Sequence, residues 1–233
     1  MTMRALTPSQ LIACATGCSD DHLVDIGRHR LHAQITDDFK ALQQGAKNAG
    51  FSLAIASSFR DFNRQSAIWN AKFSGKRPVF NKQQVAIDLS TLTDIDKCHA
   101  ILLYSALPGA SRHHLGTDID VYDEAAIAAD YELQLSPYEY SEAGPFALLT
   151  AWLDKNLKTY GFYRPYQEDL GGVSPEPWHI SHIKQSQTMC NQVTLEAIEN
   201  QIKCSDLLGK ETIVKHLPSL FSRYVTNVAP VPI

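Results

Sequence analysis

Two polar segments, at residues 111–120 and 176–179, constrain this chain more than any other feature. The first reads Ser111-Arg112-His113-His114-Leu115-Gly116-Thr117-Asp118-Ile119-Asp120, and the second Glu176-Pro177-Trp178-His179. Together they offer two imidazoles and a carboxylate as ligands for a metal. A second carboxylate is left over to act as a base, which is the set a hydrolytic metal site needs. Any fold that uses both segments must bring them to one place.

A catalytic zinc takes three protein ligands and keeps one position open. His113, Asp120 and His179 can fill those three. Gly116 permits a tight turn between the first two. Glu176 lies three positions before His179, so it can stand beside an attacking water without being a ligand. The residues leave alternatives open. If residues 117–121 form a strand, Asp118 and Asp120 face the same side. Either could bind metal, or one could support a ligand imidazole from behind. His114 adjoins His113 and in an extended segment would point the opposite way. His182, three positions after His179, could substitute as a ligand or line the cleft. Any one of these histidines by itself reads as a hydrogen-bonded structural residue. Their combination argues for a site.

The bulk properties narrow the partners. A chain of 233 residues with 44% apolar content suits a single globular domain with a full core. A net charge of −4, with scattered Lys and Arg and no basic run, leaves no footprint for nucleic acid. No stretch approaches the run of about 20 apolar residues that a membrane helix needs. Cys14, Cys18, Cys98, Cys190 and Cys204 are odd in number and irregular in spacing, and no second pair completes a structural zinc pattern. They read as free or buried thiols, which favours a reducing compartment. Near the N-terminus Arg4 is followed by a short apolar stretch, Leu11 to Ala15, preceded by Pro8, Ser9 and Gln10. That stretch reads as a helix fragment rather than an export signal. The expected location is cytoplasmic, or periplasmic if a signal was removed.

The coarse pattern is α+β: a small antiparallel sheet carrying the metal site, with helices packed against it. Thr7-Pro8 predicts a short capped N-terminal helix. Ile35, Phe39, Leu42 and Ala46 recur at helical spacing within 32–48, and Gly50 stops that helix. Residues 51–56 read as a buried strand, and a helix starts near Asp61. Residues 73–90 read as a loop, and 93–104 as a further helix. Residues 117–122 form a strand, and 123–144 are irregular. Phe146, Leu149, Leu153 and Leu157 mark an amphipathic helix. Short strands follow at Phe162-Tyr163 and at 177–183. A helix over 186–201 and a Pro-containing end complete the chain as a C-terminal extension.

These residues resemble a known family. Ser111, His113, Gly116 and Asp120 match the pattern S-x-H-x-x-G-x-x-x-D, and Glu176, Trp178 and His179 match E-x-W-H. Both look like the D-alanyl-D-alanine carboxypeptidase family of zinc peptidases, the VanY-like group. That group sits within a wider set with lysostaphin-type peptidases and the hedgehog signalling domain. Ser57, Phe59, Arg60 and Gln65 are similar to a further family segment, and the likeness covers residues from about 30 to 185.

The resemblance implies one zinc ion per chain, held by His113, Asp120 and His179, with Glu176 as general base. It implies that Arg60 contacts the substrate carboxylate or a developing oxyanion, as a bidentate guanidinium can. Gln65, Ser111, Trp178 and His182 are the accompanying candidates for substrate contact. The implied activity is removal of a terminal D-alanine from a peptidoglycan stem peptide or muropeptide. The alternatives are a zinc endopeptidase, an L,D-carboxypeptidase, or a non-catalytic zinc-containing binding module. The chain departs from many relatives at Asp118, where a small apolar residue is usual, and at Ile180-Ser181-His182.

Overall fold

Strand β4 (Asp118–Asp123) shows in one element how this sequence builds both a core and a site. Successive side chains of a strand point to opposite faces. Ile119 and Val121 therefore face one way and enter an apolar core, while Asp118 and Asp120 face the other. The computed structural model describes residues 6–232, so Arg4 lies outside the described residues.

Four strands form the main sheet: β3 (Leu53–Ser57), β4, β5 (Phe162–Tyr163) and β6 (His179–His182). Their order is β3-β4-β6-β5, and every pairing is antiparallel. In β4 and β6, Asp118 lies opposite Ser181, Ile119 opposite Ile180, and Asp120 opposite His179. Helices α2 (Thr36–Asn48) and α5 (Ala147–Asn156) cover the apolar face. Phe39, Leu42, Leu149 and Leu153 pack there on Ile119 and Ile180. The architecture is α+β, as the sequence predicts.

A second core lies among α3 (Phe62–Phe73), α4 (Asp94–Ile101), α7 (Leu195–Lys203) and α8 (Lys210–Tyr224). Trp69 is its largest fully buried side chain, and its indole N–H donates to the Leu208 carbonyl at 3.1 Å. Asp61 caps α3 by accepting from the Arg64 N–H at 2.7 Å, which places the helix start where the sequence puts it. Helix α1 (Pro8–Ala15) likewise has the expected start, with a capping box between Thr7 and Gln10.

Three parts differ from the sequence reading. The helix expected over 186–201 is two helices, α6 (Ile183–Cys190) and α7. Thr194 ends the continuity by accepting from the Ala197 N–H and starting a new helix. Helix α8 contains Pro218, a residue that reads as a breaker, yet it buries Ile213, Leu217, Leu220 and Tyr224 on one face. Near the N-terminus, β1 (Leu23–Ile26) and β2 (His29–His32) form a separate two-stranded hairpin whose turn holds Gly27 at φ 59°. Neither strand, Leu-Val-Asp-Ile or His-Arg-Leu-His, alternates clearly between apolar and polar residues.

His32, at the end of this hairpin, is buried, and its Nδ1 accepts from the Gln34 N–H at 3.2 Å. Burial, with smaller contributions from His22 and His182, lowers its pKa to about 4. The unfolded imidazole takes a proton below about 6.5. The folded one resists until about pH 4, so the unfolded state binds more protons in that window. Stability is then lost as pH falls from about 6.5 towards 4. Denaturant unfolding at pH 7 and pH 5 is expected to show a loss of about 2 kcal/mol from this group. His32→Asn, which keeps a capping oxygen, is expected to flatten that dependence.

Candidate active site

The site lies on the polar face of β4 and β6, closed over by the 3-10 turn Arg112–Leu115. That turn ends at Gly116, which adopts φ 67°. A Cβ there would stand 2.3 Å from Leu23 Cδ2 and 3.0 Å from the His32 backbone nitrogen. Glycine therefore lets the chain reverse tightly enough to set His113 over Asp120.

His113, Asp120 and His179 are all buried, and one potential ligand atom from each lies within 4.8 Å of the others. His113 Nε2 is 3.2 Å from Asp120 Oδ2, and His179 Nδ1 is 3.1 Å from Asp120 Oδ1. The orientation of each ring comes from its other nitrogen. His113 Nδ1 donates to the Ser58 carbonyl at 2.9 Å, so Nε2 faces the cluster. His179 Nε2 donates to Asp118 Oδ1 at 2.9 Å, so Nδ1 faces it. Asp118 is therefore behind His179, not among the ligand atoms. This decides between the two aspartates that strand alternation left open.

The donor set fits a cation. His179 Nδ1 and Asp120 Oδ1 are buried and face each other, yet neither has a hydrogen bond of acceptable geometry. Buried polar atoms are normally satisfied, and a divalent ion bound between them and His113 would satisfy both. The charges point the same way. Burial would raise the Asp120 carboxyl, but His113 and His179 hold it well below the usual carboxylate range. Burial would lower the His179 imidazole, but the Asp118 hydrogen bond and the Asp120 charge push it up to about 9. A proton and a metal compete for the same Nδ1 lone pair. His113 moves down, through burial and then the nearby Arg60.

Glu176 is brought to the same place, with Oε2 3.5 Å from His179 Nδ1. Burial pushes its carboxyl up to about 7, opposed by His179. Arg60 approaches from the loop between β3 and α3, its Nη2 3.8 Å from Asp120 Oδ2. Its Nη1 donates to Gln65 Oε1 at 3.0 Å, while its Nε is buried without a partner. Gln65 is fully buried and also donates to the Ala106 carbonyl at 2.7 Å, so it braces Arg60. Ser111 Oγ is buried without a partner. Trp178 is buried in a small apolar cluster with Tyr140 and Phe146, its ring centroid 5.6 Å from that of Tyr140.

Two histidines of the sequence reading sit elsewhere. His182 Nε2 is 3.0 Å from Asp38 Oδ2, and its Nδ1 accepts from the Gln185 N–H at 3.1 Å. Residues three apart on a strand face opposite ways, so His182 shares the face of Ile180, away from His179. Its side chain caps α6 and is not brought to the cluster. His114 is fully buried, donating from Nδ1 to the Arg60 carbonyl at 2.6 Å and accepting at Nε2 from the Gly109 N–H at 3.1 Å. It clamps the backbone that carries Arg60.

Three residues were not assigned roles from sequence. The Tyr166 ring packs edge-on against His179, with centroids 5.1 Å apart. Lys72 donates to Ser105 Oγ at 2.6 Å, and burial lowers its ammonium to about 8 with Arg77 adding to the effect. Its position seven residues after Gln65 places both on one face of α3, a signal readable from helical spacing. Arg112 lies within the first motif, but its contacts with distant strands have no local signature.

The profile described as VanY, D-alanyl-D-alanine carboxypeptidase, matches residues 28–185. The chain belongs to this family. It is thus an enzyme of a carboxypeptidase family, and the matched span agrees with the likeness read from the two motifs. An uncharacterized protein of Haemophilus influenzae is 49% identical over 107 residues, covering 44% of this chain and 70% of that protein. The D-alanyl-D-alanine carboxypeptidase of Enterococcus faecalis is 25% identical over 158 residues, covering 66% of this chain and 48% of that protein. Among solved structures, VanYB in complex with D-Alanine-D-Alanine is similar with a TM-score of 0.52 at 22% identity, over 84% of this chain and 89% of that one. The LdcB LD-carboxypeptidase is similar with a TM-score of 0.51 at 22% identity, over 79% of this chain and 80% of that one. These two likenesses concern the fold.

Gly116→Ala tests the turn that sets the cluster. The left-handed backbone and the close Leu23 and His32 contacts predict a loss of about 2 kcal/mol in denaturant unfolding. Weaker binding of a divalent metal is expected alongside it, because His113 and Asp120 flank the turn.

Proposed function

We propose that this protein is a zinc-dependent D,D-carboxypeptidase that removes the terminal D-alanine from peptidoglycan-type peptides. The observation that carries the reading is the buried pair His179 Nδ1 and Asp120 Oδ1, unsatisfied and facing each other, with His113 and Glu176 beside them. His113, Asp120 and His179 would hold the zinc, which when bound supplies a Lewis acid for the scissile carbonyl and for water. Glu176 takes the proton of the attacking water as its oxygen adds to the carbonyl carbon. The same carboxyl returns the proton to the amine nitrogen as the C–N bond breaks. Arg60, with a buried unpartnered Nε, binds the substrate's terminal carboxylate or the developing oxyanion. Gln65 keeps that guanidinium in place, Ser111 offers a free hydroxyl, and Trp178 walls the pocket.

The named relatives support the substrate class, since the Enterococcus faecalis protein carries this activity in its name. The LD-carboxypeptidase of similar fold supports a second reading, L,D-carboxypeptidase action on a shorter stem peptide. Free buried thiols at Cys14 and Cys98 support a reducing, cytoplasmic setting, where soluble wall precursors or recycled muropeptides would be the substrates.

Mass spectrometry of zinc-loaded protein acting on a stem pentapeptide ending in D-Ala-D-Ala is expected to show loss of one alanine. Glu176→Gln should retain zinc and lower kcat/KM by on the order of 10³. Full activity in that variant would sink the reading. Chelation should abolish cleavage, and added zinc should restore it. Amidation of the terminal carboxylate should block a carboxypeptidase and spare an endopeptidase. Cleavage of the tetrapeptide in preference to the pentapeptide would select the L,D reading.

A further inference from the structure

We propose that Arg112 and Asp118 form a positioning pair that fixes the tautomer and plane of the His179 ring, and so sets how tightly the centre holds its metal. The inference rests on the metal reading above and adds to it two residues that neither family pattern specifies. Both fall at unspecified positions of S-x-H-x-x-G-x-x-x-D.

Asp118 is fully buried on the same face of β4 as Asp120. Its Oδ1 accepts from His179 Nε2 at 2.9 Å and from Arg112 Nε at 2.6 Å. Its Oδ2 accepts from Thr117 Oγ1 at 2.8 Å. Arg112 is in turn tied to three other elements. Its Nη2 donates to Ser181 Oγ of β6 at 2.7 Å and to Tyr163 Oη of β5 at 3.4 Å, and its Nη1 to Cys190 Sγ of α6 at 3.2 Å. The carboxylate is thus gripped from three sides and cannot turn away from His179.

The consequence is specific to His179. A ring that donates from Nε2 to a fixed carboxylate carries its lone pair on Nδ1, the atom facing Asp120. The other imidazole of the centre is steered by a neutral acceptor, the Ser58 carbonyl. A carboxylate behind a ligand imidazole makes it a stronger donor, and losing such a partner typically weakens metal binding. An unpaired buried carboxylate would be strongly destabilising. Arg112 removes that penalty, so the pair orients the ring without adding net charge near Asp120 and Glu176.

The test is titration of Zn²⁺ into the metal-free full chain, read by competition with a chromophoric chelator. The variants are Asp118→Asn, Asp118→Ala, and the double variant Arg112→Met with Asp118→Ala. The double variant removes both charges together, so it decides the case if a single variant fails to fold. Zinc affinity is expected to fall about tenfold or more in each folded variant, and up to about 100-fold for Asp118→Ala. Nitrogen-15 spectra of the His179 ring should show the Nε2–H form in the wild type and a mixture of tautomers in Asp118→Ala. A merely structural ion pair would lower the melting temperature and leave zinc affinity and the tautomer unchanged. That result, with tight zinc binding by the wild type, would overturn this pair alone. A wild type that binds no zinc would overturn the metal reading with it.

Discussion

The antiparallel register of β4 against β6 is the constraint on which the rest depends. It sets Asp120 opposite His179 on one face and Ile119 opposite Ile180 on the other. The two faces enforce each other. Ile119, Val121 and Ile180 belong to an apolar core with Phe39 and Leu153. A slip of one residue would drive Asp118 and Asp120 into that core and expose the isoleucines to the polar cleft. Hydrophobic burial on one face thus holds the ligand geometry on the other.

The polar face gathers more charge than a buried surface ordinarily tolerates. Asp118, Asp120 and Glu176 lie beside His113 and His179, flanked by Arg60 and Arg112. Burying such groups is tolerable where each is paired or hydrogen-bonded. Asp118 meets that condition completely, with Arg112, Thr117 and His179 around it. Asp120 and His179 meet it in part, which leaves the unsatisfied atoms where a cation fits. Arg60 has the same character, braced by Gln65 at Nη1 and free at Nε. The arrangement is rigid where it supports and incomplete where it is to bind.

Much of this was legible in residue order, and the exceptions have physical reasons. Helices α1 and α3 begin where Thr7 and Asp61 predict, because capping is a local interaction between a side chain and a backbone N–H a few residues away. Helix α8 lies in the stretch that the sequence marks only as a Pro-containing extension, and packing against α4 and α7 sustains it in spite of Pro218. The β1–β2 hairpin has too little alternation to be read from sequence. His182 looked like a cleft residue by its distance along the chain from His179. The strand turns it to the opposite face, where Asp38 receives it.

The sequence by itself determined the chemistry on offer: two imidazoles, their carboxylate partners, a base and a guanidinium, in an order that matches a peptidase family. Ligand type is a property of the side chain, and spacing within a turn or a cap is settled by nearby backbone. Only the tertiary structure decided which aspartate faces the cluster and which stands behind His179. It also decided which nitrogen each imidazole presents, because that depends on what holds the other nitrogen. For His113 the holder is the Ser58 carbonyl, and for His179 it is Asp118. Each partner lies more than fifty positions away along the chain. Such contacts exist only after strand pairing and core burial have brought the segments together.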